Sequence, residues 1–403
     1  MKKNTKKYQI ILLLLVVVLA QRCIEPYEVE SQTFENALVI EATITNELKN
    51  QVVKLSRSFK LEDTLAVQEK NATVLIRDNN QNEYQFNEVR DGYYVSQNQF
   101  QAVPDVQYQL FVTTSDNKLY ESKPIQILGK SNLESMSVSK DMNEEQKEFF
   151  NIKINSFDPN RTSNYYRYTF EETYEVRAPY WSPFKAIVIS ENPPIVNITT
   201  KTEENKICWN TIQSNEIILN ETTGLSEDRV SDFIIRKIPV DDFSVSYRYS
   251  ILVKQYVMSL EAHTFYKTLS KFSNSESLLS QNQPGFFSGN VYSVANQDEK
   301  VLGFFDVSYV SSKRMFFNYR DFFENGRPPN IVDCLPLVAP ELPIGETGES
   351  DLVVALNSNQ WMFYDYNYNQ DPDFLPGPFV LVKKDCGDCT TNGSNIKPNF
   401  WID

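Results

Sequence analysis

Leu38-Val39-Ile40-Glu41-Ala42-Thr43-Ile44-Thr45 is the stretch from which the fold can be read. Leu38, Ile40, Ala42 and Ile44 alternate with Val39, Glu41, Thr43 and Thr45. A period of two is what a strand with one buried face requires. Similar short runs follow at 53–55, 73–76, 83–86, 92–95 and 107–113. Turn-forming breaks such as Asp78-Asn79-Asn80 and Asp91-Gly92 divide them. Short strands at this spacing predict an N-terminal immunoglobulin-like β-sandwich over residues 36–128. No cysteine pair lies within it, which excludes the disulfide-pinned antibody type.

Leu128-Gly129-Lys130-Ser131-Asn132 marks the expected boundary. A larger β-rich domain is expected over 129–403, with strands at 149–154 and 165–176. Val245, Tyr247, Tyr249, Ile251 and Val253 alternate with Ser246, Arg248, Ser250 and Leu252 and predict its clearest strand. Ser259 can cap a helix and Glu261 sits in its first turn. Phe265, Leu269 and Phe272 then fall on one face, so one packed helix is expected on the sheet. His263 falls two residues from Phe265, on the polar side, and reads as a solvated surface residue. Strands return at 301–309 and 315–319, and from Pro328 the chain is irregular and rich in proline. The fold class is therefore mainly β. The 22 Tyr and 26 Phe against 12 Gly point the same way.

Ahead of the first strand lies an export signal. Lys2, Lys3, Lys6 and Lys7 precede an unbroken apolar run of 11 residues, Ile10 to Ala20. That is a secretory layout, too short for the roughly 20 apolar residues of a membrane span. Cys23 follows it, so residues 1–22 read as a lipoprotein signal peptide and Cys23 as the lipidated residue. Arg22 stands where a small residue is usual, and cleavage near Ala20 or an uncleaved anchor are the other readings. Residues 23–35 read as an acidic tether; Glu25, Glu28 and Glu30 loosely match surface-export signals. Without residues 1–22 the chain has 34 basic and 53 acidic residues, a net charge of −19. Such a charge repels phosphate backbones, so no nucleic-acid partner is expected.

Four cysteines remain: Cys208, Cys334, Cys386 and Cys389. In an exported chain they suggest two disulfides, with three connectivities open. Cys386-Gly387-Asp388-Cys389 could instead be a redox pair or half of a zinc site, but the Thr, Asn, Gly and Pro after it make a poor helix. The reading preferred is a clamp on the C-terminal tail. His263 is the sole histidine, which removes Ser-His-Asp triads and multi-histidine metal sites. Asp365, Asn367, Asn369 and Asp371 alternate as in a calcium loop, but Gln370 replaces its glycine and Pro376 its glutamate. With 53 acids a carboxylate pair for glycoside hydrolysis is always conceivable, and nothing singles one out. No nucleotide-binding glycine loop or nucleophile elbow occurs. No cofactor and no catalytic group are expected. Aromatics near Tyr180-Trp181 and from Trp361 to Tyr368 could stack on a sugar or pack in the core. Asp63-Thr64-Leu65 makes Thr64 a glycosylation candidate.

Several blocks together carry a resemblance. They are Cys23-Ile24-Glu25-Pro26, Ala37-Leu38-Val39-Ile40-Glu41-Ala42, Ile44-Thr45-Asn46, and the run from Tyr247 to Tyr256. Pro284-Gly285 through Gly289-Asn290, Val301-Leu302-Gly303-Phe304-Phe305, Lys313-Arg314-Met315-Phe316 and the tail from Cys386 to Trp401 complete the set. The chain resembles the Bacteroidota lipoprotein family known as domain of unknown function 4249. That resemblance implies an outer-membrane lipoprotein, often encoded beside a TonB-dependent transporter, with no established activity to transfer. The expectation is a lipid-anchored accessory protein that captures or hands over a ligand beside such a transporter. A surface adhesin for glycan or matrix is the second reading and a carboxylate-dependent hydrolase the third.

Overall fold

The computed structural model describes residues 36–58, 67–273, 289–326, 329, 333–343, 348–368 and 375–403. The signal peptide, Cys23, the acidic tether, Thr64, Asn369 and Asp371 lie outside the described residues.

The N-terminal segment forms β1 (Leu38–Thr45), β2 (Val52–Arg57), β3 (Thr73–Asp78), β4 (Glu83–Arg90), β5 (Tyr93–Ser96), β6 (Tyr108–Thr113) and β7 (Leu119–Ser122). Next come β8 (Asn132–Met142), β9 (Glu148–Asp158), β10 (Tyr165–Arg177), β11 (Phe184–Glu191), β12 (Pro194–Thr200), β13 (Ile207–Gln213), β14 (Ile218–Glu221), β15 (Asp228–Pro239) and β16 (Arg248–Val257). Helix α1 (Leu260–Ser273) precedes β17 (Val291–Ser293) and β18 (Val301–Asn318). Helix α2 (Asp351–Asn357), β19 (Trp361–Tyr366), β20 (Phe379–Lys383) and the single-turn α3 (Lys384–Gly387) complete the described elements. The protein is mainly β, as its composition predicts.

The alternation in β1 does what it implies. Leu38, Ile40, Ala42 and Ile44 are all buried. They join Val53, Leu55, Val74, Ile76, Leu110, Val112 and Tyr120 in the first core. Each fully buried Leu, Ile or Val contributes about 1.5–3 kcal/mol. The second core lies where β8, β9 and β15 face β10 and β16. Phe150, Ile152 and Ile154 there meet Tyr166, Tyr168, Tyr249 and Ile251.

One strand joins the two cores. β18 is 18 residues long and runs through both layers. Its first half pairs in parallel with β1, Leu38 opposite Val301 and Thr45 opposite Ser308. Its second half pairs antiparallel with β16, from Tyr309 opposite Val257 to Asn318 opposite Arg248. The sheet so formed has 13 strands. Asn46 secures the changeover: its amide donates to Val310 O and accepts from Val310 N. The 301–309 and 315–319 runs are thus one strand. Ser312, Lys313 and Arg314 between them look like a break because they stand on a wetter part of it.

The segment 36–128 is completed from far along the chain, by β17 on β7 and by β18 on β1. Where β17 approaches β18, the buried Asn290 stands in for a paired strand. Its Nδ2 donates to Phe305 O at 2.7 Å and its Oδ1 accepts from Phe305 N at 2.8 Å. A buried backbone amide left unpaired would cost about 1–3 kcal/mol, so an amide side chain belongs here.

Helix α1 starts as its cap predicts, with Ser259 Oγ accepting from Ala262 N at 3.0 Å. His263 differs from the surface reading: it is buried, with only 3% of its area exposed. The helix is gripped on two sides. Phe265 packs on Phe304, while His263 turns onto Tyr165, ring centroids 5.1 Å apart. Burial pushes the His263 pKa below its ordinary value; Glu221 across from it opposes the shift and Lys267 adds to it. The folded state therefore prefers the neutral ring and the unfolded chain takes the proton first. Stability contributed at this site is full above about pH 6.5 and falls as pH drops toward the lower folded pKa. No other histidine titrates in that window. Melting curves between pH 7 and 5 should show a decline that His263→Gln flattens. An identical decline in both proteins would refute the assignment.

Candidate functional site

The C-terminal tail is held by two disulfides, Cys208–Cys389 and Cys334–Cys386. The two cysteines of the C-x-x-C do not pair with each other. α3 turns Cys386 toward Cys334, while Cys389 reaches β13. Both sulfurs are committed elsewhere, which leaves neither the redox pair nor the zinc half-site open. Backbone bonds complete the attachment: Tyr180 N donates to Cys386 O at 3.0 Å and Cys389 N to Asn205 O at 3.0 Å. Trp209 and Ser394 then exchange two backbone hydrogen bonds, 2.8 and 2.9 Å, an isolated antiparallel bridge that ties the tail to β13.

Between that tail and the ends of β10, β16 and β18 opens a cleft of about 780 Å³. This is within the few-hundred to roughly thousand cubic ångström range of small-molecule sites. Its walls come from five segments: Glu175 and Arg177, Ile207 and Trp209, Tyr247 and Arg248, Asn318 to Asp321, and Asn395, Lys397 and Asp403.

Guanidinium and ring contacts order these walls. Arg177 lies over Tyr247 at 4.4 Å and Arg248 over Phe316 at 5.0 Å. Trp401 meets Phe316 edge-on at 5.7 Å and Trp209 at 6.2 Å. Each such contact contributes about 0.5–1.5 kcal/mol beyond burial. The carboxylates are engaged by their neighbours: Glu175 by Arg177, Asp321 by Asn318, and Asp403 by Lys397 at 2.7 Å. Burial pushes the Tyr247 phenol up, against the pull of Arg177. Two buried donors in this wall, Trp209 Nε1 and Arg248 Nε, have no acceptor among the described residues. Buried N–H groups are nearly always paired, so the two are exceptions in this wall.

The other sequence candidates fall elsewhere. Asn367 spends its amide on Leu375 O and Gly377 O, both at 2.8 Å, and so fastens its own loop. Asp365 is exposed and accepts from Tyr366 N. Among the described residues no group of three His, Cys, Asp or Glu is placed to hold a metal ion. Trp181 donates from its indole to Asn205 Oδ1 at 2.7 Å and packs on the second core. In the 361–368 run Phe363 is buried while Tyr368 is 82% exposed. Sequence reading missed the cleft. Trp209 and Trp401 were its only visible signal, and nothing in their spacing brings them together.

A family model described as Domain of unknown function (DUF4249) matches residues 24–314. The match covers most of both cores and ends within β18, before the disulfide-clamped tail. No curated protein matches the chain.

Proposed function

We propose, from the premise that the chain belongs to the DUF4249 family, that it is a lipid-anchored binding protein of the outer membrane. In this reading Cys23 carries the acyl chains, and more than one chain is needed for stable anchoring. The protein captures a ligand in the cleft under its tail and passes it to a TonB-dependent transporter beside it. The observation that carries this reading is the cleft itself, with its ordered aromatic and guanidinium walls and two unpaired donors. Its acids are tied to cations or amides, an arrangement suited to holding a polar ligand. Two disulfides fit an oxidising compartment outside the cytoplasm. The transporter partnership rests on the neighbourhood implied by the family resemblance.

Affinity purification of the tagged chain from detergent-solubilised envelopes, followed by mass spectrometry, tests the partnership. A stoichiometric outer-membrane β-barrel is the expected result. Recovery of the chain alone would overturn it and favour the adhesin reading, for which exposed Tyr366 and Tyr368 supply an aromatic surface.

A further inference from the structure

A second groove, of about 760 Å³, lies on the far side of β18 from the first core, beneath α1. Its walls include Val39, Tyr93, Ile217, Leu302 and Phe304, an apolar set. Arg167 of β10 reaches into it. Its guanidinium carbon sits 4.3 Å from the centre of the Tyr256 ring and 4.8 Å from that of Tyr266. Contacts of that kind engage the face of a guanidinium and leave its N–H edge for a planar acceptor. On that edge Arg167 Nε is buried without an acceptor among the described residues.

The charges around it lean the same way. Arg167, Lys49 and Lys54 line the groove against Glu41 alone. Glu41 is already paired with Lys54 at 3.2 Å, and Lys49 shares Glu47 with Lys254. An excess of positive charge in a chain of net charge −14 is a local feature with a use. The buried acid that senses Arg167 is Asp306, which accepts from Ser308 Oγ at 2.6 Å. Burial pushes its pKa up, toward the neutral form, so it is a poor counter-ion.

We propose that this groove binds a single-chain carboxylate amphiphile, with the carboxylate bidentate on Arg167 and the chain along Val39, Leu302 and Phe304. The site is separate from the cleft under the tail, and either can fail without the other.

The test is equilibrium dialysis of labelled decanoate and of decan-1-ol against the full mature chain carrying Cys23→Ser, which needs no detergent. Decanoate should bind about tenfold or more tightly than the alcohol, the worth of a charge-assisted hydrogen-bonded pair. Arg167→Gln should abolish that difference while leaving the alcohol unchanged. Arg167→Lys, which keeps charge but loses the fork, should retain part of it. Equal affinity for the two probes, no binding of either, or decanoate binding unaffected by Arg167→Gln would overturn the proposal. Should Arg167→Gln fail to fold, Leu302→Glu decides, since an acid on the groove wall should weaken decanoate about tenfold or more. Unchanged decanoate binding by Leu302→Glu would also overturn it.

Discussion

Replacing Cys208 and Cys389 by serine should lower stability by about 5 kcal/mol, from loop-closure entropy. The bridge closes a loop with a sequence separation of 181 residues, and long loops gain most from closure. The same relation gives about 4 kcal/mol for Cys334–Cys386, whose separation is 52. Native strain and residual structure commonly reduce such values, so the order of the two is the sharper expectation. The larger loss also has a functional side. Asn395, Lys397 and Asp403 line the cleft on a tail that Cys389 pins to β13. The other bonds there, among them the Trp209–Ser394 pair and Cys389 N to Asn205 O, contribute about 0.5–1.5 kcal/mol each. Urea denaturation of the two double-serine variants, compared with the oxidised protein, reads the effect. Midpoints unchanged from wild type would show that the tail is held by its backbone contacts instead.

What the sequence reveals of this fold is what local physics dictates. β1 is legible because buried and less buried side chains alternate along it from Leu38 to Ile44, and α1 because Ser259 supplies the cap and Glu261 the first-turn acid. The disulfide clamp is legible as a count but not as a pairing. The parallel partnership of β1 and β18 is not legible at all. It joins residue 38 to residue 301, and nothing near either position specifies the other. The β11–β12 hairpin draws no strand assignment, because its alternation runs between exposed and half-exposed positions and no side chain of either strand is buried. Helix α2 is too short, at 7 residues, to display a period. His263 departs from its expected surface position because a single apolar stripe does not describe α1, which is packed on two sides. The cleft is hidden for the same reason as the β1–β18 pairing. Its walls come from five separate segments, and the completed sheet and the Cys208–Cys389 bridge bring them together.

Gly303→Ala should be nearly as damaging as the loss of a disulfide, at about 4 kcal/mol. Two costs combine. Gly303 has φ +111°, a conformation nearly closed to residues with a side chain, worth about 1–3 kcal/mol. A Cβ there would lie 1.9 Å from Ile40 O and 2.7 Å from Ile40 C, a clash with backbone rather than a flexible side chain. Overpacking of that kind costs a further 1–3 kcal/mol or so. The close approach follows from the register, in which Gly303 stands opposite Ile40 in the β1–β18 pair. Gly289 adds to it, since a Cβ on that residue would meet Gly303 O at 1.5 Å. β1, β18 and the segment entering β17 thus converge where only glycine fits. Gly224→Ala is the matched control, because nothing lies within 4 Å of the added carbon. It should change stability by no more than about 0.5 kcal/mol. The comparison bears on more than one residue, because Gly303 and Ile40 also form part of the wall of the Arg167 groove. If Gly303→Ala melts no earlier than Gly224→Ala, β1 does not lie against β18, and the joining of the two cores by one strand fails with it.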